Sequence, residues 1–240
     1  MKKIFLTLFL LIIITPVLIG GYFGLVPGVS ALFGSNKPRD LGVSPSAEAL
    51  SSGNQKTGVA LAALPADTSM EQSLQYVGSH EVEMTLTSAE ITSMANNSKW
   101  AYSPISAVQV RINPDGSAEA SGLIDFNAAV NYAKALGVSS SDIDKALSKY
   151  PVPRTKFPFY LKGTGHVANN QISLDLTSVE LARIPVPVGI VKELTPGATS
   201  FVESKYLGEG KAVSIDTLEN RSGQVYFKGT VPDQELTVNQ

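Results

Sequence analysis

The sequence predicts an α+β fold: an N-terminal transmembrane helix, then an antiparallel sheet of three hairpins packed on helices. Three observations predict it. Ile4 to Val26 carries no charge, and the next charged side chain is Lys37. Three pairs of alternating apolar/polar runs are joined by turn residues. Helix-cap signals sit between those pairs.

At ~1.5 Å per residue a helix over Ile4–Val26 spans about 34 Å, enough for a hydrocarbon core of roughly 30 Å. Residues 1–33 are therefore expected to form a transmembrane signal-anchor. Lys2 and Lys3 precede the run directly, whereas Lys37 and Arg39 lie well beyond it. Basic residues beside a span stay in the cytoplasm, so the C-terminal part is expected outside, on the plasma membrane. The competing reading is a cleaved signal peptide, because Val29-Ser30-Ala31 has a small-x-small form. The apolar core exceeds the usual ~7–15 residues of such peptides, which favours the anchor.

Residues 34–79 are rich in Ser, Gly, Ala and Pro without a sustained period, and read as a low-complexity stalk. Within it, Val59–Leu64 is expected as one docked turn or short strand. Residues 80–240 form the extracytoplasmic α+β domain. Glu81–Leu86 alternates as a strand. Thr87-Ser88-Ala89-Glu90 is a capping box opening a helix with Ile91 and Met94-Ala95 inward, ending at Asn96-Asn97. Ile105–Ile112 is a strand with Val108, Val110 and Ile112 on one face. Asn113-Pro114-Asp115-Gly116 turns it back into Ser117–Ile124, since Pro presets φ and Gly takes the left-handed position.

Two helices follow. Asn127–Leu136 ends at Gly137, and Ser141–Tyr150 starts on a Ser cap with Asp142 and Asp144 and stops at Pro151 and Pro153. Phe157–Ala168 and Gln171–Ile184 pair around Asn169-Asn170, two residues that tolerate the positive φ of a tight turn. Ile172, Leu174 and Leu176 form the inward row. Pro185-Val186-Pro187 breaks the strand. Val188–Leu207 is expected as helix in two pieces, with Thr195 capping and Pro196 at the first position of the second. Phe201, Val202 and Tyr206 are expected to face the sheet. Ala212–Leu218, a turn over 220–223 and Gln224–Val231 make the third hairpin. Hairpins mean antiparallel pairing, hence α+β rather than a doubly wound parallel sheet.

The chemistry is sparse. There is no cysteine, so disulfides, Cys-zinc sites and thiol catalysis are excluded. The two histidines, His80 and His166, have no metal-ligand spacing and read as surface residues. No metal and no cofactor is expected. Gly163-Thr164-Gly165-His166-Val167-Ala168 fits the loose dinucleotide pattern but leads into a strand, so the glycines read as a bulge. Glu81 and Glu83 share one strand face and read as solvated. Asp142 and Asp144 lack the rest of a calcium loop. Trp100 and Tyr102 read as a core anchor in preference to a binding platform. Ile184–Val191 is an apolar run, read as core; if exposed, it would be a lipid or partner surface. Nineteen basic against 21 acidic residues, a net charge of −2, argues against nucleic acid.

One family resemblance follows from particular stretches. Leu86-Thr87-Ser88-Ala89-Glu90-Ile91 opens a helix. Val108–Gly116 feeds a strand ending at Ser121-Gly122. Ala182-Arg183-Ile184-Pro185-Val186-Pro187 precedes a helix. Val213-Ser214-Ile215-Asp216 through Gly223–Gly229 repeats the strand-turn-strand-Gly form. Over roughly Glu81–Val231 the chain resembles bacterial membrane-anchored envelope domains similar to tubular lipid-binding (TULIP-like) proteins. The resemblance implies a curved antiparallel sheet wrapped on a helix and an apolar groove for an acyl chain, with no catalytic residues.

The expected function is therefore binding rather than catalysis. In the first reading, the domain takes a lipid or acyl chain between the rows Ile172/Leu174/Leu176 and Val108/Val110/Ile112, closed by the helix near Phe201. In the second, it is a scaffold that docks another cell-envelope protein at Ile184–Val191. A hydrolase would need a polar constellation that the sequence does not offer. The ligand-binding residues themselves are not assigned by the sequence.

Overall fold

A computed structural model describes residues 14–22, 26, 28–149, 155–208 and 210–239. The apolar run expected to span a membrane lies mostly outside these residues. What is described of it is a helix within 14–22 (α1), together with Val26. Among the described residues no helix is long and apolar enough to cross a membrane. A short helix, Val29–Leu32 (α2), folds back on α1: the buried Ser35 hydroxyl donates to the Gly21 carbonyl and to the Ser30 carbonyl.

The segment expected as a stalk is folded onto the domain. Ala47–Thr57 is a helix (α3), opened by the Ser46 hydroxyl on the Ala49 amide and closed by Gly58 at φ 68°. Gly53 lets it approach the next helix closely, since a Cβ there would lie 2.6 Å from Met94 Sδ. Ala60–Ala63 (β1) is the short strand anticipated within Val59–Leu64. A 3-10 turn at Met70–Gln72 leads to Leu74–Val77 (β2). Repeated Ser and Gly do not preclude structure here, because partners far along the chain supply the pairing.

His80–Leu86 (β3) runs into Ser88–Ala95 (α4) through the anticipated capping box of Thr87 and Glu90. Ile105–Ile112 (β4) and Ala118–Asp125 (β5) make the first hairpin, with Gly116 at φ 90° in its turn. Phe126–Ala135 (α5) is capped by the Asp125 carboxylate, and Ser140–Lys149 (α6) follows; the expected last residue of α6, Tyr150, lies outside the described residues. Lys156–Ala168 (β6) and Gln171–Leu181 (β7) pair around Asn169 and Asn170, at φ 49° and 65°. β7 stops three residues short of Ile184. Ala182 and Arg183 both take positive φ and turn the chain into Ile184–Pro185 (β8).

Val188–Tyr206 (α7) is a single helix, not two. Thr195 does not cap: its hydroxyl donates to the Val191 carbonyl one turn back, and Pro196 sits inside the helix. Packing of α7 along β7 offsets the cost of an interior proline. Ser214–Arg221 (β9) and Gln224–Val231 (β10) form the third hairpin about Ser222-Gly223, and Gln234–Thr237 (β11) ends the fold.

The class is α+β, with a curved antiparallel main sheet carrying all three expected hairpins. Its order is β3-β10-β9-β6-β5-β4, with β7 along β6 and β8 on β7. A second sheet, β1-β11-β2, was not foreseen, and its β1·β11 pair is parallel. One core gathers Val167, Ile215, Phe227 and Val231 on the main sheet. The other surrounds Trp100, Ala135 and Leu136, with Phe201 and Tyr132 against them.

Candidate functional site: an apolar hollow on the main sheet

Strand alternation puts odd-numbered residues of β6 on one face, and pairing aligns their neighbours into rows. One row reads Ile112, Ala118, Gly163, Leu176 across β4, β5, β6 and β7. The next reads Val110, Ala120, Leu161. Large side chains stand at the flanks and small ones in the middle. Atoms missing from the middle of a face leave a void. The result is a hollow of about 510 Å³, within the roughly 300–1,000 Å³ usual for ligand pockets. Leu86, Ile91, Leu218 and Val225 complete its apolar wall. Most of these side chains are only half-buried, and Leu174 is 41 % exposed, so the hollow opens to solvent.

The bend beneath the hollow comes from Gly163. The β6–β7 register shifts between Lys162 and Gly163, and a Cβ at Gly163 would lie 2.3 Å from the Asp175 carbonyl oxygen. A bulge at this point turns the strand. The dinucleotide-like pattern thus lies within a 13-residue strand and serves backbone packing, as the sequence suggested.

Helix α4 walls the hollow beside β4. That strand is the sheet edge, and its outward backbone groups would be open to water or to another strand. Three α4 side chains take the place of a neighbouring strand. The Ser88 hydroxyl accepts from the Ile112 amide. The Thr92 hydroxyl accepts from the Val110 amide and donates to its carbonyl. The Asn96 amide accepts from Val108 N–H and donates to Val108 C=O. These residues are four apart, hence on one helix face. Ile91 lines the hollow. α4 is in turn fixed to α3 through buried Glu90, which takes hydrogen bonds from Lys56 (2.9 Å), Ser52 (2.6 Å) and the Thr87 amide (2.8 Å). Burial pushes the Glu90 carboxyl up, but the Lys56 ammonium and the hydroxyl and amide donors outweigh it and hold the pKa at about 2.

On the opposite face of the sheet a polar network joins β5 and β6. Tyr160 donates to Glu119 at 2.6 Å and Asn113 donates to it at 3.0 Å; these bonds outweigh burial and lower the Glu119 pKa. Asn220 ties the β9–β10 hairpin to the β4–β5 turn by donating to the Asn113 carbonyl.

Of the proposed lining rows, Ile172, Leu174, Leu176, Val110 and Ile112 line the hollow and Val108 does not. The helix near Phe201 does not close it. Phe201 packs in the Trp100 core, and α4 provides the wall. The sequence reading missed Ala118 and Ala120, although Ala-Glu-Ala-Ser-Gly over 118–122 signals small residues on one face.

The other candidates are dispersed. His80 lies on β3 with Nδ1 2.8 Å from the Asp233 carboxylate and Nε2 2.9 Å from the Thr57 carbonyl. His166 is exposed on β6, where it lines the hollow without a second histidine beside it. Among the described residues no group of three or more potential metal ligands comes together. Glu81 and Glu83 are exposed, and Glu83 accepts from Tyr226. Asp142 accepts from Ser139 at the start of α6. Trp100 is 5 % exposed and donates to Ser73 Oγ, a core anchor packed edge-on against Tyr102 and Tyr132. The Ile184–Val191 run is not core: Ile184 is 40 % and Val188 64 % exposed, with only Val191 of the run buried. No family model, no curated protein and no solved structure matches this chain.

Proposed function

We propose that this chain is a membrane-anchored extracytoplasmic domain that binds a lipid acyl chain in the hollow of its main sheet. The observation that carries this reading is the combination of an Ala/Gly floor, Val/Ile/Leu walls and access to solvent. Each methylene moved from water into such a site gains about 0.8 kcal/mol, so an alkyl chain is the ligand that uses the whole surface. The TULIP-like resemblance agrees with it. The uncharged Ile4–Val26 run is the anchor in this reading, with Lys2 and Lys3 on the cytoplasmic side.

Native mass spectrometry of residues 34–240, prepared without detergent, tests the binding. Lipid adducts are expected, and their loss in Ala120→Phe, which fills the floor. Repeated recovery of lipid-free protein would overturn the reading. Protease mapping of a C-terminal tag on intact cells tests the topology: the tag is expected to be cleaved from outside.

A second reading, a scaffold docking another envelope protein, is favoured by the exposure of Ile184 and Val188. A photocrosslinker at Val188 would trap one defined protein in that case.

A further inference from the structure

We infer that a polar cavity beside α1 binds an anionic phosphate group, presented to it by a membrane lipid. The lipid source rests on the anchor reading above; the cation site does not. The cavity, of about 580 Å³, shares no lining residue with the apolar hollow. Its cations are Lys37, Arg39 and Arg183, and its carboxylates are Asp40 and Glu180. Three positive charges against two negative ones leave an excess of one.

The pairing concentrates that excess on two residues. Both Glu180 carboxylate oxygens accept from Arg39, at 2.9 and 2.8 Å, and the Arg39 guanidinium lies 3.8 Å over the Tyr160 ring. The Asp40 carboxylate accepts from the Gly42 amide. Among the described residues neither Lys37 nor Arg183 forms an ion pair. One atom holds the two together: the Gly34 carbonyl accepts from the Arg183 guanidinium at 2.9 Å and from the Lys37 amide at 3.3 Å. The Arg183 fork keeps further N–H donors, and Lys37 adds an ammonium. A phosphate group has the charge and enough acceptor oxygens to engage both.

The position of the cavity names the source. Tyr22 of α1 lines it and packs edge-on against Phe33, with ring centroids 6.2 Å apart. Both rings are exposed. Exposed aromatic side chains beside an apolar span sit at headgroup level. With Ile4–Val26 as the anchor, Lys37 and Arg183 are held where lipid phosphates lie. A net positive charge there selects an anionic headgroup over a zwitterionic one.

The experiment titrates the full chain in neutral detergent with phosphatidylglycerol, phosphatidylcholine and inorganic phosphate, and reads bound molecules by native mass spectrometry. Ala120→Phe, whose apolar hollow is filled, is titrated beside wild type. Phosphatidylglycerol should be retained in preference to phosphatidylcholine in both. Lys37→Gln and Arg183→Gln should each weaken its binding about fivefold. Arg183→Lys, which keeps the charge, should weaken it less. The Lys37 side chain makes no hydrogen bond or ion pair among the described residues, so Lys37→Gln leaves the fold intact. Unchanged phosphatidylglycerol affinity in both Gln variants overturns the site and leaves acyl binding intact. A preference that disappears in Ala120→Phe assigns the lipid to the hollow and overturns it as well. Inorganic phosphate that displaces phosphatidylglycerol at equal concentration overturns the lipid source.

Discussion

Replacing Glu90 by Gln tests whether α4 is held against the sheet by a buried charge. Gln keeps the shape and can still accept from Ser52 or Thr87, but it no longer faces the Lys56 ammonium as an anion. The wild-type carboxyl is held at about 2 against a reference of 4.5. At about 1.4 kcal/mol per pKa unit this corresponds to roughly 3 kcal/mol of stability at neutral pH. Lys56 is 36 % exposed, so solvent screening brings the expected value nearer 2 kcal/mol. The folded pKa lies below the unfolded one. The contribution is therefore complete above pH 4.5 and is lost as the pH falls towards 2. Urea denaturation of wild type and Glu90→Gln at pH 7, and at steps down through that window, is the assay. Wild type should be the more stable at pH 7, and the difference should shrink on acidification. A difference that is absent at pH 7, or that stays constant down to pH 2, refutes the reasoning.

Three further outcomes are expected. Thr92→Val strips the Val110 amide and carbonyl of their partner in a site with no solvent access, and should cost about 2–4 kcal/mol by chemical denaturation. Gly163→Ala should destabilise by more than about 2 kcal/mol, because its methyl would meet the Asp175 carbonyl and the bulge would have to shift; a loss within about 0.5 kcal/mol would show the bulge to be adaptable. His80 places an acceptor at each ring nitrogen, which only the doubly protonated ring satisfies, and the side-chain hydrogen bond to Asp233 raises its pKa. The clip is complete below the ordinary value of 6.5 and loosens as the pH rises through the folded value. Hydrogen exchange at the C-terminal turn of α3 should accelerate across that range in wild type and not in His80→Gln.

Features determined by neighbours in the chain were legible in the sequence. The Thr87–Glu90 capping box, the Asn169-Asn170 turn and the Asn113–Gly116 turn each depend on residues within four positions, and each formed as expected. Features determined by distant partners were not. β1, β2 and β11 are four residues long, and their pairing joins positions more than 150 apart, so no local period announces them. α3 hides behind its composition: the surface it buries is Gly53 and Thr57, with no apolar stripe. Thr195-Pro196 has the local form of a helix start, but packing on β7 carries the helix through it. Both flanking rows of the hollow could be read from alternation. Its depth could not, because that depends on Ala118 of β5 falling opposite Gly163 of β6, with Ala120 beside them.

β11 lies between β1 and β2, so two early strands have no sheet partner until nearly the whole chain has been made. At roughly 5–20 residues per second, synthesis leaves Leu74–Val77 waiting on the order of ten seconds or more for Gln234–Thr237. The β4–β5 and β6–β7 hairpins need no such late partner, whereas closure of the small sheet is deferred until β11 has been made.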